Sequence, residues 1–395
     1  MENYRRTLFA SFSSYIVQAI CIDYAPLLFV QFSRQFSLPL SSLTAIVSIT
    51  FLVQLVMDAL SSSFIDRIGY KKAILLANAL AFTGLTLLSF LPLIISPFPG
   101  IMISVFFYAL GSGLVEVMVS PMVEALPLEN KAGVMNILHA FYSIGQLVVV
   151  LFSSLFFFIF STELWSILTL IFALVPLANF IVLITCPVRK LDEEKEEKES
   201  MLSYFRNPVF YLFILMMISS GASEHAVNQW ASYFAETVLH LNKETGDILA
   251  PAFFALMMAS SRLIFTKKDM DAEKILIKMS ILCLACYLIL SLSGIVFLCL
   301  LAIGFTGFAV GLFWPLTFTL SRRRMKGRTM MFALLALFGD IGCTLGPSFS
   351  GLISSSTGNM RSALLFSSVF PLMMLLPVVI LTLKRKKESK LQKTS

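Results

Sequence analysis

The sequence predicts an all-α membrane protein of twelve transmembrane helices in two pseudo-symmetric six-helix bundles. Three observations lead there. The first is composition: of 395 residues 57% are apolar and 13% charged, with 37 phenylalanines, and the mean hydropathy is +0.86. A water-soluble chain is nearer ~45–50% apolar and ~25% charged. The second is that apolar runs of about 20 residues, each enough to cross a ~30 Å hydrocarbon core as a helix, recur along the whole chain. The third is the placement of lysine and arginine between those runs. Together they exclude a soluble enzyme, a secreted disulfide scaffold and a disordered chain.

The spans fall roughly at 9–31, 41–63, 73–92, 100–125, 134–160, 164–186, 208–235, 245–266, 274–293, 295–320, 328–354 and 361–383. The first reads as a retained span. It follows a short basic head, is too long for the apolar core of a signal peptide, and carries Asp23. With both termini inside, all thirty basic residues except Arg34, Lys243 and Arg361 lie on the cytoplasmic side or at cytoplasmic helix ends. This is the positive-inside pattern. The net charge of +7 therefore points to a lipid bilayer as partner, not nucleic acid, and to a multi-pass protein of the cytoplasmic membrane.

The longest polar run, residues 187–207, separates the spans six and six. It reads as a charged cytoplasmic linker with Glu–Lys pairs at helical spacing. The expected organisation is an N-terminal bundle over 1–186, this linker, a C-terminal bundle over 208–383 and a basic tail over 384–395. The halves echo each other. Gly133 and Gly145 in span 5 have the spacing of Gly327 and Gly339 in span 11, and Gly111, Gly113 and Pro121 in span 4 face Gly307, Gly311 and Pro315 in span 10. Two related six-helix halves are the mark of carriers that rock about a midplane site.

Between spans 2 and 3 stands Asp66-Arg67-Ile68-Gly69-Tyr70-Lys71-Lys72. It resembles the loop motif of the major facilitator superfamily, with Ser62 where the leading glycine of that motif is expected. The resemblance covers the whole chain and implies a secondary transporter. By it, Asp66, Arg67, Gly69, Lys71 and Lys72 belong to a cytoplasmic gate, joined by Asp58 two turns deeper and by Arg262 in span 8. Gly111-Ser112-Gly113-Leu114-Val115-Glu116 with Pro121, and Met135-Asn136-Ile137-Leu138-His139-Ala140-Phe141 with Gly145, resemble spans 4 and 5 of the fucose–proton symporter-like sugar porters. That branch implies proton coupling at Glu116, with Asp23 in the region of a second acid. Stretches around Ser120-Pro121 and Gln229-Trp230 are also similar to uncharacterised clostridial-type members.

Ionised groups are costly in hydrocarbon, so acids within spans mark the bundle interior. Asp23, Asp58, Glu116, Glu224 and Asp340 are such acids. Glu116 lies about 13 Å into the membrane by helical rise. Asp23 precedes Pro26, whose ring frees backbone groups nearby. In span 7, Glu224 and Asn228 share a face at i,i+4, with His225, Gln229 and Trp230 beside them. Amides, a carboxyl and a Trp suit a carbohydrate's hydroxyls and apolar ring face; polar glue between helices is the other reading. Asp340 in span 11 and its repeat counterpart Gln146 in span 5 are expected to face the central cavity, as substrate-binding residues together with Asn136 and His139.

No cation lies deep in a span apart from Arg262, which disfavours phosphorylated or strongly anionic cargo. Cys283 and Cys286 sit within one apolar span without a second ligand pair, so no metal or cofactor is expected. No phosphate-binding loop or nucleophile set is found, so no enzymatic activity is expected. The function expected is proton-coupled (or sodium-coupled) symport of a small neutral solute such as a sugar, by a monomer. Proton-coupled efflux of lipophilic or cationic compounds is the alternative, since deep acids and many Phe and Met residues would serve it as well.

Overall fold

The computed structural model describes residues 4–128, 131–188, 201–265, 271–325 and 329–394. Side chains are described at these positions except 61–64, 66, 131–133, 136, 139, 201, 202, 329 and 386–394. Among the described residues twelve helices are long and apolar enough to cross a membrane. They are span 1 Arg5–Leu27, span 2 Leu40–Leu60, span 3 Tyr70–Ile94, span 4 Pro97–Glu124, span 5 Ala140–Phe160 and span 6 Thr162–Thr185. Span 7 is Pro208–Thr237, span 8 Lys243–Ile264, span 9 Ala272–Leu292, span 10 Val296–Met325, span 11 Met330–Thr357 and span 12 Met360–Arg385.

Several spans are interrupted, and local chemistry accompanies each break. Span 1 contains Pro26, gives way at Leu28, whose N–H turns back to the Ala25 carbonyl at 2.9 Å, and continues as Phe29–Phe36. Span 7 is helical over Pro208–Asn228, turns at Gln229 and Trp230, and resumes as Ala231–Thr237. Span 8 opens with Lys243–Asp247, widens into a π-helical turn at Ile248–Ala252 around Pro251, and goes on as Phe253–Ile264. The helix of span 2 extends to Ile68 and stops at Gly69, whose φ is +83°. A side chain there would be strained, so the glycine of the loop motif is a backbone requirement.

The chain divides into two compact units. The first comprises Met1–Lys195 and Ala231–Ala255, the second Glu196–Trp230 and Leu256–Ser395. In the first unit span 3 packs along spans 4 and 6, span 1 against spans 4, 5 and 6, and span 2 against span 4. A Cβ on Gly113 would come 2.8 Å from Met57 Cβ and 3.2 Å from Gln54 Cα, so the bare glycine is what lets span 2 approach span 4. Asn179 on span 6 donates to Ser14 Oγ at 2.9 Å and Asn78 Oδ1 at 3.1 Å, tying three spans through buried groups. Lys71 Nζ donates to the carbonyls of Ile184 (2.9 Å) and Cys186 (3.1 Å) and so caps the end of span 6, where the last carbonyls lack helical partners.

The segment Ala231–Ala255 belongs to this unit. Its two short helices and π-turn lie against spans 1 and 5 and the Phe29–Phe36 helix. An ion cluster ties it internally. Lys243 pairs with Asp247 (2.6 Å) and Glu236 (3.3 Å) and donates to Ser232 Oγ (2.8 Å).

In the second unit span 7 lies against spans 10, 11 and 12, and span 9 against spans 10 and 12. Glycines again set the approach, for a Cβ on Gly342 would overlap the Ile218 carbonyl of span 7. Near the ends of spans 9, 10 and 12 a charge cluster forms. Arg324 meets Glu273 at 2.8 Å, and Arg385 meets Asp271 at 3.0 Å and Glu273 at 3.1 Å. In both units the outward faces are apolar, with Phe158, Leu174, Phe297 and Leu352 exposed. Such faces are stable against lipid, not water.

Candidate functional site

Within the first unit the deep acids sit in two polar pockets. Glu116, half-buried on span 4, accepts from Gln18 Nε2 on span 1 at 3.1 Å and from Gln54 Nε2 on span 2. Both amides converge on the same oxygen, Oε2. One turn along each helix, Tyr15 and Ser120 are hydrogen-bonded at 3.1 Å. Spans 1 and 4 are therefore joined by two polar rungs. Gln54 shares a face of span 2 with Asp58, four residues on, which is half-buried.

The second pocket surrounds Asp23, which is 5% exposed. Its Oδ1 accepts from Gln146 Nε2 at 3.1 Å, and its Oδ2 from Tyr142 Oη at 3.4 Å, both on span 5. The structure thus brings together two residues expected from the sequence, Asp23 and Gln146, and adds Tyr142 to them.

Gln18, Gln54, Tyr15 and Tyr142 are functional candidates that the sequence does not single out. A signal existed for two of them, since uncharged amides in mid-span are themselves costly in hydrocarbon unless paired. Their partners lie 98 and 62 residues away along the chain, which no local pattern reveals.

In the second unit the polar cluster of span 7 is buried. Glu224, His225, Asn228 and Gln229 are all below one-tenth exposed, and His225 Nε2 stands 3.9 Å from Glu224 Oε1. The backbone carbonyl of Ser223 accepts from Tyr287 Oη at 2.8 Å. Trp230, at the break of span 7, is buried and donates from Nε1 to the Pro347 carbonyl of span 11 at 3.0 Å. Asp340 is buried on span 11 beside Gly339, onto which the Trp314 ring packs. Arg262 on span 8 is half-buried and donates to the Gly311 carbonyl at 3.3 Å. Arg67 and Lys72 are exposed. The side chains of Asp66, Asn136 and His139 lie outside the described ones.

Comparison with known proteins gives the fold a context. The model of the Major Facilitator Superfamily matches residues 7–295 and 270–395. No curated protein sequence matches the chain. Among solved structures, a D-xylose–proton symporter is similar with a TM-score of 0.77 at 13% identity, covering 95% of this chain and 96% of that one. A bacterial homolog of the human lysosomal transporter Spinster, in an inward-facing and occupied conformation, has a TM-score of 0.69 at 15% identity over 97% and 96%. The E. coli fucose–proton symporter has a TM-score of 0.65 at 16% identity over 96% and 99%. At these identities the likeness is one of fold: twelve spans of the major facilitator type.

Proposed function

Since the chain belongs to the Major Facilitator Superfamily, we propose that it is a secondary active transporter that works by alternating access and couples proton movement to symport of a small neutral solute, a sugar in the first instance. The observation that carries this reading is Glu116. It is a carboxyl within span 4 that accepts hydrogen bonds from neutral amides of spans 1 and 2. Such a group gains or loses a proton without breaking an ion pair. Asp23, bonded to Gln146 and Tyr142, is the second coupling acid. Glu224, Asn228, Gln229 and Trp230, with Asp340, Gln146, Asn136 and His139, form the solute-binding set.

Asp58, Asp66, Arg67, Gly69, Lys71, Lys72 and Arg262 form the gating set. The protein works as a monomer in the cytoplasmic membrane with both termini inside. Its halves are residues 1–186 and 208–383, joined by 187–207. The solved symporters of xylose and fucose, similar over nearly the whole chain, support a neutral cargo. One elementary charge moved through 100 mV supplies about 2.3 kcal/mol for accumulation.

The test is uptake into proteoliposomes under an inward proton gradient, with D-xylose and L-fucose as first probes. Wild type accumulates one of them. Glu116→Gln loses gradient-driven accumulation but keeps exchange between equal pools. Undiminished accumulation by the variant removes Glu116 from the coupling role.

A further inference from the structure

We propose that Gln18 and Gln54 form a hydroxyl-accepting subsite, in which two buried amide oxygens beside Glu116 receive O–H groups of a neutral polyhydroxyl solute. The inference deepens the reading of the protein as a carrier of neutral solutes and rests on it.

The argument starts from what a carboxylate can do. An ionised carboxylate only accepts, so each glutamine facing it must turn its NH₂ end inward. Gln18 and Gln54 both do so, toward Oε2 of Glu116. That orientation settles the other end of each amide. Gln18 Oε1 and Gln54 Oε1 are buried and accept no hydrogen bond, and the two residues are 3% and 5% exposed.

Buried acceptors normally find a donor, and one left without is costly. Two of them, on two helices that both pack against span 4 and from amides whose NH₂ ends meet one carboxylate, make a place where acceptors are in surplus. Gln146 repeats the arrangement at Asp23. Its Nε2 donates to Oδ1, and its Oε1 is buried and unpaired. Three amides of the first unit therefore present unmet acceptors next to the two proposed coupling acids.

The chemistry of the missing partner follows. It must bring donors, which excludes a solute with acceptors alone. A neutral donor suits the open acceptors themselves, because they are amide dipoles. A hydroxyl can meet an amide oxygen without the desolvation of a charge that an ammonium would require. Several hydroxyls on one small frame meet several such oxygens at once.

The experiment is titration of the full-length protein in detergent with D-xylose, L-fucose and D-mannitol, by calorimetry and thermal shift. Per-O-methylated xylose serves as a probe with acceptors only, and ethidium as a cationic one. Gln18→Met and Gln54→Met keep side-chain length and remove the amide. A sugar that binds wild type is expected to bind each variant at least about tenfold more weakly, and the methylated sugar not at all. Should Gln54→Met not yield folded protein, Gln54→Asn withdraws the amide by one methylene and serves the same comparison. Variants that bind the sugar as tightly as wild type overturn the subsite and leave the carrier reading standing. Binding of ethidium but no sugar, or of nothing in the panel, overturns both.

Discussion

Replacing Lys243 with methionine removes a positive charge from a point where two carboxylates meet. Its Nζ stands 2.6 Å from Asp247 Oδ2 and 3.3 Å from Glu236 Oε1. Ser232 Oγ accepts from Nζ at 2.8 Å and donates to Asp247 Oδ1 at 2.5 Å. The side chains of Lys243, Asp247 and Glu236 are 9%, 0% and 6% exposed, so water screens this cluster poorly. Methionine retains most of the apolar stem, and what is lost is the charge. Breaking a buried pair in this way costs about 3–5 kcal/mol, because an uncompensated charge stays behind.

At ~2–4 °C per kcal/mol, the scale for domains of 150–250 residues, the unfolding temperature should drop by roughly 6–20 °C. The assay is thermal unfolding of the purified protein in detergent, followed by tryptophan fluorescence. A triple variant, Lys243→Met with Asp247→Leu and Glu236→Gln, should recover to within about 2 kcal/mol of wild type, since buried pairs are often replaceable by apolar groups. Unfolding of Lys243→Met within 2 °C of wild type, an interval of about 1 kcal/mol or less, would refute the reasoning. It would mean that the two carboxyls carry no charge that needs Lys243.

Two further outcomes follow from the second unit. Gly342→Ala places a methyl against the Ile218 carbonyl and should destabilise by ~1–3 kcal/mol through overpacking, although alanine is the better helix former; a variant as stable as wild type in the same melt would show that spans 7 and 11 can part freely. Asp271 lies just before span 9, where the hydrogen bonds from Arg385 hold its carboxyl below the usual value of 3.8. A lowered folded value means that the contribution is present above the unfolded pKa and is lost as pH falls through the folded one. Asp271→Asn retains an acceptor for the Lys274 N–H it caps and removes the charge. It should cost under ~1 kcal/mol at pH 7, because Arg385 is 42% exposed. Melts of the two proteins should converge below about pH 4; a gap that widens there would reverse the sign.

Much of the fold was legible because hydropathy is local. Span number can be read from a window of residues, whereas the break at Leu28 and the positive φ of Gly69 cannot. The candidate site was legible in part. Glu116 and Asp23 stood out as acids in apolar runs, and Gln146 by its repeat position. Gln18 and Gln54 did not, since an amide in a span gains meaning only from what it faces. Lys71, read from the motif as a gate cation, also caps span 6, a contact with a helix more than a hundred residues away.

What the sequence determined by itself is therefore the solvent of this chain and the number of its crossings. Burying 57% apolar residues leaves no other choice than lipid, and each crossing consumes a fixed length of helix. What only the tertiary structure decided is which polar groups meet. That depends on the rotation of each helix about its axis and on glycine-mediated approach, as at Gly113, where span 2 carries Gln54 to Glu116. These are properties of packed pairs, and a single span does not contain them.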